Sequence, residues 1–309
     1  MENTDKSAAE TKPRRRFTPE ELVTGLKYLL TTEKLEDNRF KGAAMGKPGK
    51  PTRQRAFGGQ VIAQGVNAAM ATIEDNKTIH SLHAYFMRPG DDGQPIEYAI
   101  DRDFDGRSFS NRRVTAIQEG KPILTMATSF QIQEDGFTHQ TDMPDVPPPE
   151  DLKTDAEHLQ ENIDKIPEHI RRFITRQRPV ELRPTKFSMP DAPEKRAPLQ
   201  HTWFRLPAPV EADQNMHRAM LAFTSDMGIL AASMLPHGVN WWTKSMQVAS
   251  LDHAVWFHED INMNEWMLYV MESPWAGHAR GMTRGTIFTR DGRLVASVSQ
   301  EGLTRQHKT

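Results

Sequence analysis

The sequence predicts an α+β fold made of two fused halves, each a helix laid against an antiparallel sheet, the two packed as a pseudo-dimer. Three observations carry this. A helix with small residues on one face is followed by strand-like runs, and the same order returns later in the chain. His83-Ala84 in the strand after the first helix is matched by His253-Ala254 after the second, 170 residues on, and turns at Gly120 and Gly292 keep nearly that offset. A proline-rich stretch between them is long enough to reposition the second copy. The expected boundaries are a disordered tail over 1–16, a first half over 17–140, a linker with short helices over 141–178 and a second half over 179–309.

Taken in order, the polar tail ends in Arg14-Arg15-Arg16. Thr18-Pro19-Glu20-Glu21 then joins an N-cap, a first-turn proline and a capping-box glutamate, and Leu22, Leu26, Leu29 and Leu30 share one face, which predicts a short helix. Residues 41–55, rich in Gly, Lys, Pro and Arg, read as a loop without P-loop spacing. From Phe57-Gly58-Gly59-Gln60 a helix begins whose buried side is mostly small, so it can lie close to a sheet. Its two glycines serve tight packing or leave N–H groups open to a carbonyl oxygen or an anion; both readings stand. Strands are expected over 79–87, 96–102, 114–118 and 122–132, the last two joined at Glu119-Gly120-Lys121.

Pro144 and Pro147-Pro148-Pro149 break the rhythm, and two short helices follow, capped at Thr154 to Glu157 and started at Pro167. Strand-like runs at 180–183 and 202–206 precede 213–235, which reads as one long helix striped by Met216, Met220, Phe223, Met227, Leu230 and Met234. Asp226 lies about 80° from the middle of that stripe, at the border of core and solvent. Beyond it, 246–258 is expected as a single strand, 266–272 as another, and a hairpin turns at Arg290-Asp291-Gly292.

The chain has 309 residues and a net charge of −2, which gives no general attraction to nucleic acid or anionic membrane. It has no cysteine, so disulfides, thiolate nucleophiles and cysteine-bound metals fall away, in keeping with a reducing compartment. No apolar run is expected to reach the 18 or so residues of a membrane span, no signal-peptide core is visible, and the C-terminus is not Ser-Lys-Leu; the expected location is the cytoplasm.

Five blocks together resemble the type II acyl-CoA thioesterase family: Phe57-Gly58-Gly59-Gln60 with its helix, 80–86, Asp105-Gly106-Arg107-Ser108-Phe109 with Arg112 and Val114, 250–258, and Gln300-Glu301-Gly302. The resemblance covers roughly residues 18–306. It implies a double hotdog fold and hydrolysis of acyl-CoA to free acid and CoA without metal or other cofactor. It also implies three catalytic groups: an Asp on the second helix, a Ser or Thr two residues before the Asp-His pair, and a Gln on the last strand. In this chain those are Asp226, Ser250 and Gln300.

The chemistry of these types suits a thioester. The carbonyl is already electrophilic and the thiolate leaves readily, so water needs orientation and partial deprotonation more than a covalent nucleophile. Strand alternation puts Gln300 on the face of Leu294, Ala296 and Val298, where an amide needs partners. Burial beside Met and Leu would raise the Asp226 pKa and two donors would oppose the rise, so the net direction stays open. Gly58, Gly59 and Arg107 are candidate substrate contacts; Arg88, Arg112 and Arg113 are weaker ones for phosphates. The histidines of 80/83 and 253/258 fall at odd spacings that send each pair to opposite strand faces, and a Gly-x-Ser-x-Gly elbow is absent. Two other classes remain: a non-catalytic acyl-CoA sensor, and a hotdog enoyl-CoA hydratase, against which Ala231 stands five residues after Asp226 where a His is needed. The expected partner is acyl-CoA, and a homodimer or homotetramer follows by family analogy.

Overall fold

The computed structural model describes residues 15–45, 55–73 and 76–307. Most of the expected tail and of the 41–55 loop lies outside the described residues. Helix α1 (Pro19–Leu30) opens with the predicted capping box, Thr18 accepting from the Glu21 N–H and Glu21 from the Thr18 N–H. Strands β1 (Thr32–Glu36) and β2 (Arg39–Gly42) follow, then helix α2 (Gly58–Met70) and strands β3 (Thr78–Phe86), β4 (Ile96–Asp105), β5 (Phe109–Gln118) and β6 (Lys121–Gln131). Helices α3 (Asp155–Glu161) and α4 (Glu168–Ile174) come next, α3 with the capping box of Thr154 and Glu157. Strands β7 (Glu181–Pro184) and β8 (Leu199–Arg205), helix α5 (Gln214–Ser225) and strands β9 (Met246–Ser250), β10 (Asp252–Phe257), β11 (Met267–Gly277), β12 (Arg280–Thr289) and β13 (Leu294–Gln306) complete the chain.

The strands join in one antiparallel sheet of order β1-β2-β4-β5-β6-β3-β10-β13-β12-β11-β8-β7, with β9 added to β13. Read from the β3–β10 junction outward, the two halves run through equivalent strands in the same order, so the α+β pseudo-dimer expected from the repeat is the architecture observed. Across the junction Ala84 stands opposite His253, and His83 opposite Ala254. The matching dipeptides therefore meet, but His253 is buried and His83 exposed. The halves repeat as strands, not residue for residue.

Three expectations need correction. The stretch 213–235 is not one helix: α5 stops at Ser225, Gly228 turns the chain at φ +80°, and Ile229–Ser233 continues as a 3-10 helix. Thr224 hastens the stop, because its hydroxyl bonds back to the Met220 carbonyl. Residues 246–258 form two strands, not one, broken at Leu251, whose N–H turns to the Glu301 carbonyl. And Gln214–His237 is, by length and composition, long and apolar enough to cross a membrane; it is mostly buried inside the protein and interrupted at 226–228, the features of a core segment.

Candidate active site

The first turn of α2 lies against the C-terminal end of α5, and Asp226, the C-cap of α5, lies where they meet. Gly59 would place a Cβ 2.4 Å from the Phe223 carbonyl oxygen, and Gly58 one 2.8 Å from the Asp226 carboxylate. Both contacts are shorter than real Cβ atoms tolerate, so the approach requires glycine at each position. Phe57 then packs edge-on against Phe223, ring centres 5.1 Å apart. Of the two readings of this glycine pair, close packing is thus established. The open N–H is put to use as well: Gly59 donates to Asp226 Oδ2 at 2.8 Å.

The second carboxylate oxygen, Oδ1, accepts from Gln300 Nε2 at 3.0 Å. Gln300 reaches it because alternation along β13 turns the side chain inward with Ala296 and Val298, leaving it 1% exposed. Ser250, at the end of β9, lines the same cavity, and its hydroxyl is the weakest of the three groups that lower the carboxylate's pKa. Asp226, Ser250 and Gln300, distant in sequence, are therefore brought together. Burial raises the Asp226 pKa from 3.8 to about 6 against the opposing pull of Gln300, Gly59 and Ser250, which settles the direction the sequence left open. Tyr269, fully enclosed nearby, donates to the Ser225 carbonyl at 2.8 Å and is held neutral by burial and by the Asp226 charge.

Asp226, Ser250 and Gln300 face a cavity of about 730 Å³, walled on its apolar side by Phe57, Met227, Leu230, Met234 and Trp241. Its cationic lining comes from Arg55, Arg176, Arg178, Lys186 and Arg196. All but Arg55 come from the segment after α4, a region expected from the sequence to be a linker and the start of the second half and not part of the site. The sequence signal for it is the Arg176-Gln177-Arg178 pair, which no neighbouring motif marks as facing a ligand. Gly58 lines the cavity; Gly59 does not, since its N–H is occupied by the carboxylate.

Arg107 is exposed in the β4–β5 turn and does not line the cavity, contrary to its nomination as a substrate contact. The other strand arginines are engaged elsewhere. Arg112, 2% exposed, bonds Thr72, Asp105 and the carbonyls of Phe104 and Asn111; Arg113 pairs with Asp101 and Asp103, and Arg88 donates to the Pro122 carbonyl. Among the described residues no three His, Asp or Glu side chains gather closely enough to hold a metal ion.

Two like halves on one sheet, with a desolvated carboxylate where the ends of two helices meet and a largely apolar cavity before it, define a fused hotdog protein with its candidate site between the halves. A hotdog-fold protein from Alicyclobacillus acidocaldarius shares the fold, with a TM-score of 0.73 at 19% identity over 92% of this chain and 98% of that one. Family models for acyl-CoA thioesterase and for the acyl-CoA thioesterase N-terminal domain match residues 171–303 and 47–131. The chain is 36% identical to acyl-CoA thioesterase 2 of Haemophilus influenzae, covering 92% of this chain and 98% of that protein. It is 38% identical to human acyl-coenzyme A thioesterase 8, over 90% and 88%. The crystal structure of the acyl-CoA thioesterase II TesB2 from Mycobacterium marinum superposes with a TM-score of 0.74 at 36% identity, over 92% of this chain and 99% of that one. The chain belongs to the type II acyl-CoA thioesterase family.

Proposed function

We propose that this thioester hydrolase cleaves acyl-CoA to free acid and CoA with Asp226 as general base, Ser250 and Gln300 holding the water. The observation that carries this reading is a carboxylate with a pKa near 6, held by donors at 2.8 and 3.0 Å and facing a cavity of substrate size. Ionised at neutral pH yet more basic than an ordinary Asp, it is suited to take a proton from water. Of the four carboxylate lone pairs, two go to Gly59 and Gln300 and a third faces Ser250, which leaves one for the water.

The water oxygen attacks the thioester carbonyl carbon while its proton passes to Asp226. The tetrahedral intermediate then breaks its C–S bond, and the departing CoA sulfur takes that proton, regenerating the carboxylate. The first-turn N–H of Gly58, which no intrahelical bond satisfies, is the nearest helix donor for the developing oxyanion. The acyl chain lies along the Met227, Leu230 and Met234 wall, and the CoA phosphates meet the cationic residues around Arg176 and Arg196. A role in fatty acid metabolism and a cytoplasmic location belong to the same reading, the latter supported by the absence of cysteine. So does a homodimer or homotetramer, for which the edge strands β1 and β7 offer unpaired backbone; light scattering on the purified chain tests it.

The test is thiol release from a panel of acyl-CoA chain lengths, followed with a colorimetric thiol reagent, for wild type and Asp226→Asn. Release by wild type that is lost in the variant is expected. Equal release by both excludes Asp226 as the base.

A further inference from the structure

A row of inward side chains crosses the sheet at the site: Met126 on β6 pairs with Ala84 on β3, Ala84 with His253 on β10, and Gln300 on β13 with Thr283 on β12. The β10–β13 ladder runs through Ala254 opposite Ser299, so one step further places His253 opposite Gln300. Directly opposed strand residues hold their Cβ atoms about 5 Å apart on one face. On the first-half side the row is apolar, Met126 and Ala84; on the second it turns polar at the catalytic end.

His253 and Gln300 are each 1% exposed. His253 Nε2 lies 2.8 Å from Ser225 Oγ. The other ring nitrogen, Nδ1, and the other amide atom of Gln300, Oε1, are both buried and lack a hydrogen-bond partner within normal distance. A buried donor and a buried acceptor left over on facing residues complete each other.

We propose that His253 is a positioning residue for hydrolysis: in its Nδ1–H tautomer it faces Gln300 Oε1 and so fixes the amide with Nε2 toward Asp226. The Ser225 hydroxyl selects this tautomer by donating to Nε2. If that proton goes to the Ala222 carbonyl instead, the ring must carry Nε2–H, and a bare Nδ1 then confronts Oε1. Gln300 would escape this by flipping, which turns Oε1 against the Asp226 carboxylate. The orientation of the amide and the charge of the base are thus coupled through one imidazole. The inference rests on the reading of Asp226 as base.

Among the described residues packed on Asp226, the groups able to ionise are His253 from β10, kept neutral by a burial that lowers its pKa to about 4, and Tyr269 from β11, kept neutral by burial; the cavity before it also holds Asp155, Glu194 and the five cations named above. α2 contributes only an N–H, and β9 and β13 contribute Ser250 and Gln300. The acid limb of the rate profile therefore reports Asp226. His253→Leu should lower kcat on the order of ten- to a hundredfold with KM unchanged, and should move the acid limb upward by as much as Gln300→Ala does. The double variant should be no worse than Gln300→Ala alone. His253→Asn, whose amide stands where Nδ1 stood, should return the limb to the wild-type position; His253→Gln, which places its amide at Nε2, should not. A wild-type limb and kcat in His253→Leu, or full additivity in the double variant, overturns the proposal. Should His253→Leu fail to fold, the Asn and Gln variants decide: rescue by Gln and not by Asn overturns it. Failure of the base reading is separate, since Asp226→Asn then keeps wild-type release, and the coupling is read from the kcat of the double variant.

Discussion

Asp226→Asn should make the protein inactive and more stable at once, and the two effects have one cause. Carrying the carboxyl from 3.8 to about 6 means that ionised Asp226 costs the folded state about 3 kcal/mol, at 1.36 kcal/mol per pKa unit. The sign follows from the raised value: the folded chain holds the proton more tightly than the unfolded one. The penalty is therefore full above pH 6, shrinks as pH falls through 6, and vanishes below 3.8. Asparagine removes the charge, but its Nδ2 cannot accept from one of the two donors, Gly59 or Gln300, which returns about 1 kcal/mol. A net gain of about 2 kcal/mol at pH 8, roughly 4 °C in Tm, is expected. It should fade to nothing or reverse near pH 4. Loss of the base should lower kcat by about 10² to 10⁴. Urea unfolding at pH 8 and pH 4, beside thiol release, measures both. A variant destabilised at pH 8 refutes the idea that burial strains this carboxylate.

Wild-type kcat/KM should fall below about pH 6, the acid limb of the Asp226 titration, when release is followed from pH 4.5 to 8. Ser250→Ala removes a donor that lowers that pKa, so its limb should lie above the wild-type one, with about a tenfold loss in kcat. Gly59→Ala drives a Cβ into the Phe223 carbonyl and should destabilise by about 2 kcal/mol or more and abolish release; thermal melts and the same assay check it. Arg112→Leu should lower stability by about 3 kcal/mol while KM for acyl-CoA is unchanged, because all its bonds are internal; Arg107→Ala should alter neither, as kinetics and melts would show.

What the sequence made legible is what local rules govern. The capping boxes at Thr18 and Thr154, the Glu119-Gly120 turn with both φ values positive, and the inward Gln300 all obey short-range geometry. The misses have equally physical causes. A stripe at three- and four-residue steps does not distinguish α from 3-10 helix, so 213–235 ran through its break, although Gly228 inside the pattern was the available signal. The β11–β12 hairpin turns on His278-Ala279, both at positive φ, where turn chemistry leads one to look for Asn or Gly. The three polar residues became a site through the family resemblance, and their meeting depends on a helix crossing that no local pattern encodes.

That crossing also explains why the carboxylate is tuned rather than merely buried. Asp226 is the C-cap of α5, at the negative end of one helix, while its Oδ2 accepts from the first turn of α2, at the positive end of another. Burial at this junction pushes the pKa up; the Gly59 N–H, with Gln300 and Ser250, pulls it back. Had α5 run on unbroken, its backbone would not end at Asp226, and had α2 begun with any side chain at 58 or 59, the helices would stand apart and the Gly59 N–H would be out of reach. A value near 6 needs both the break at Gly228 and the paired glycines. It follows that Gly58→Ala, whose Cβ would sit 2.8 Å from Oδ2, should displace the base and take the Gly59 N–H from it, raising its pKa. Release should fall at every pH and fall further on the acid side, with a larger loss at neutral pH than in Ser250→Ala, which leaves the carboxylate in place.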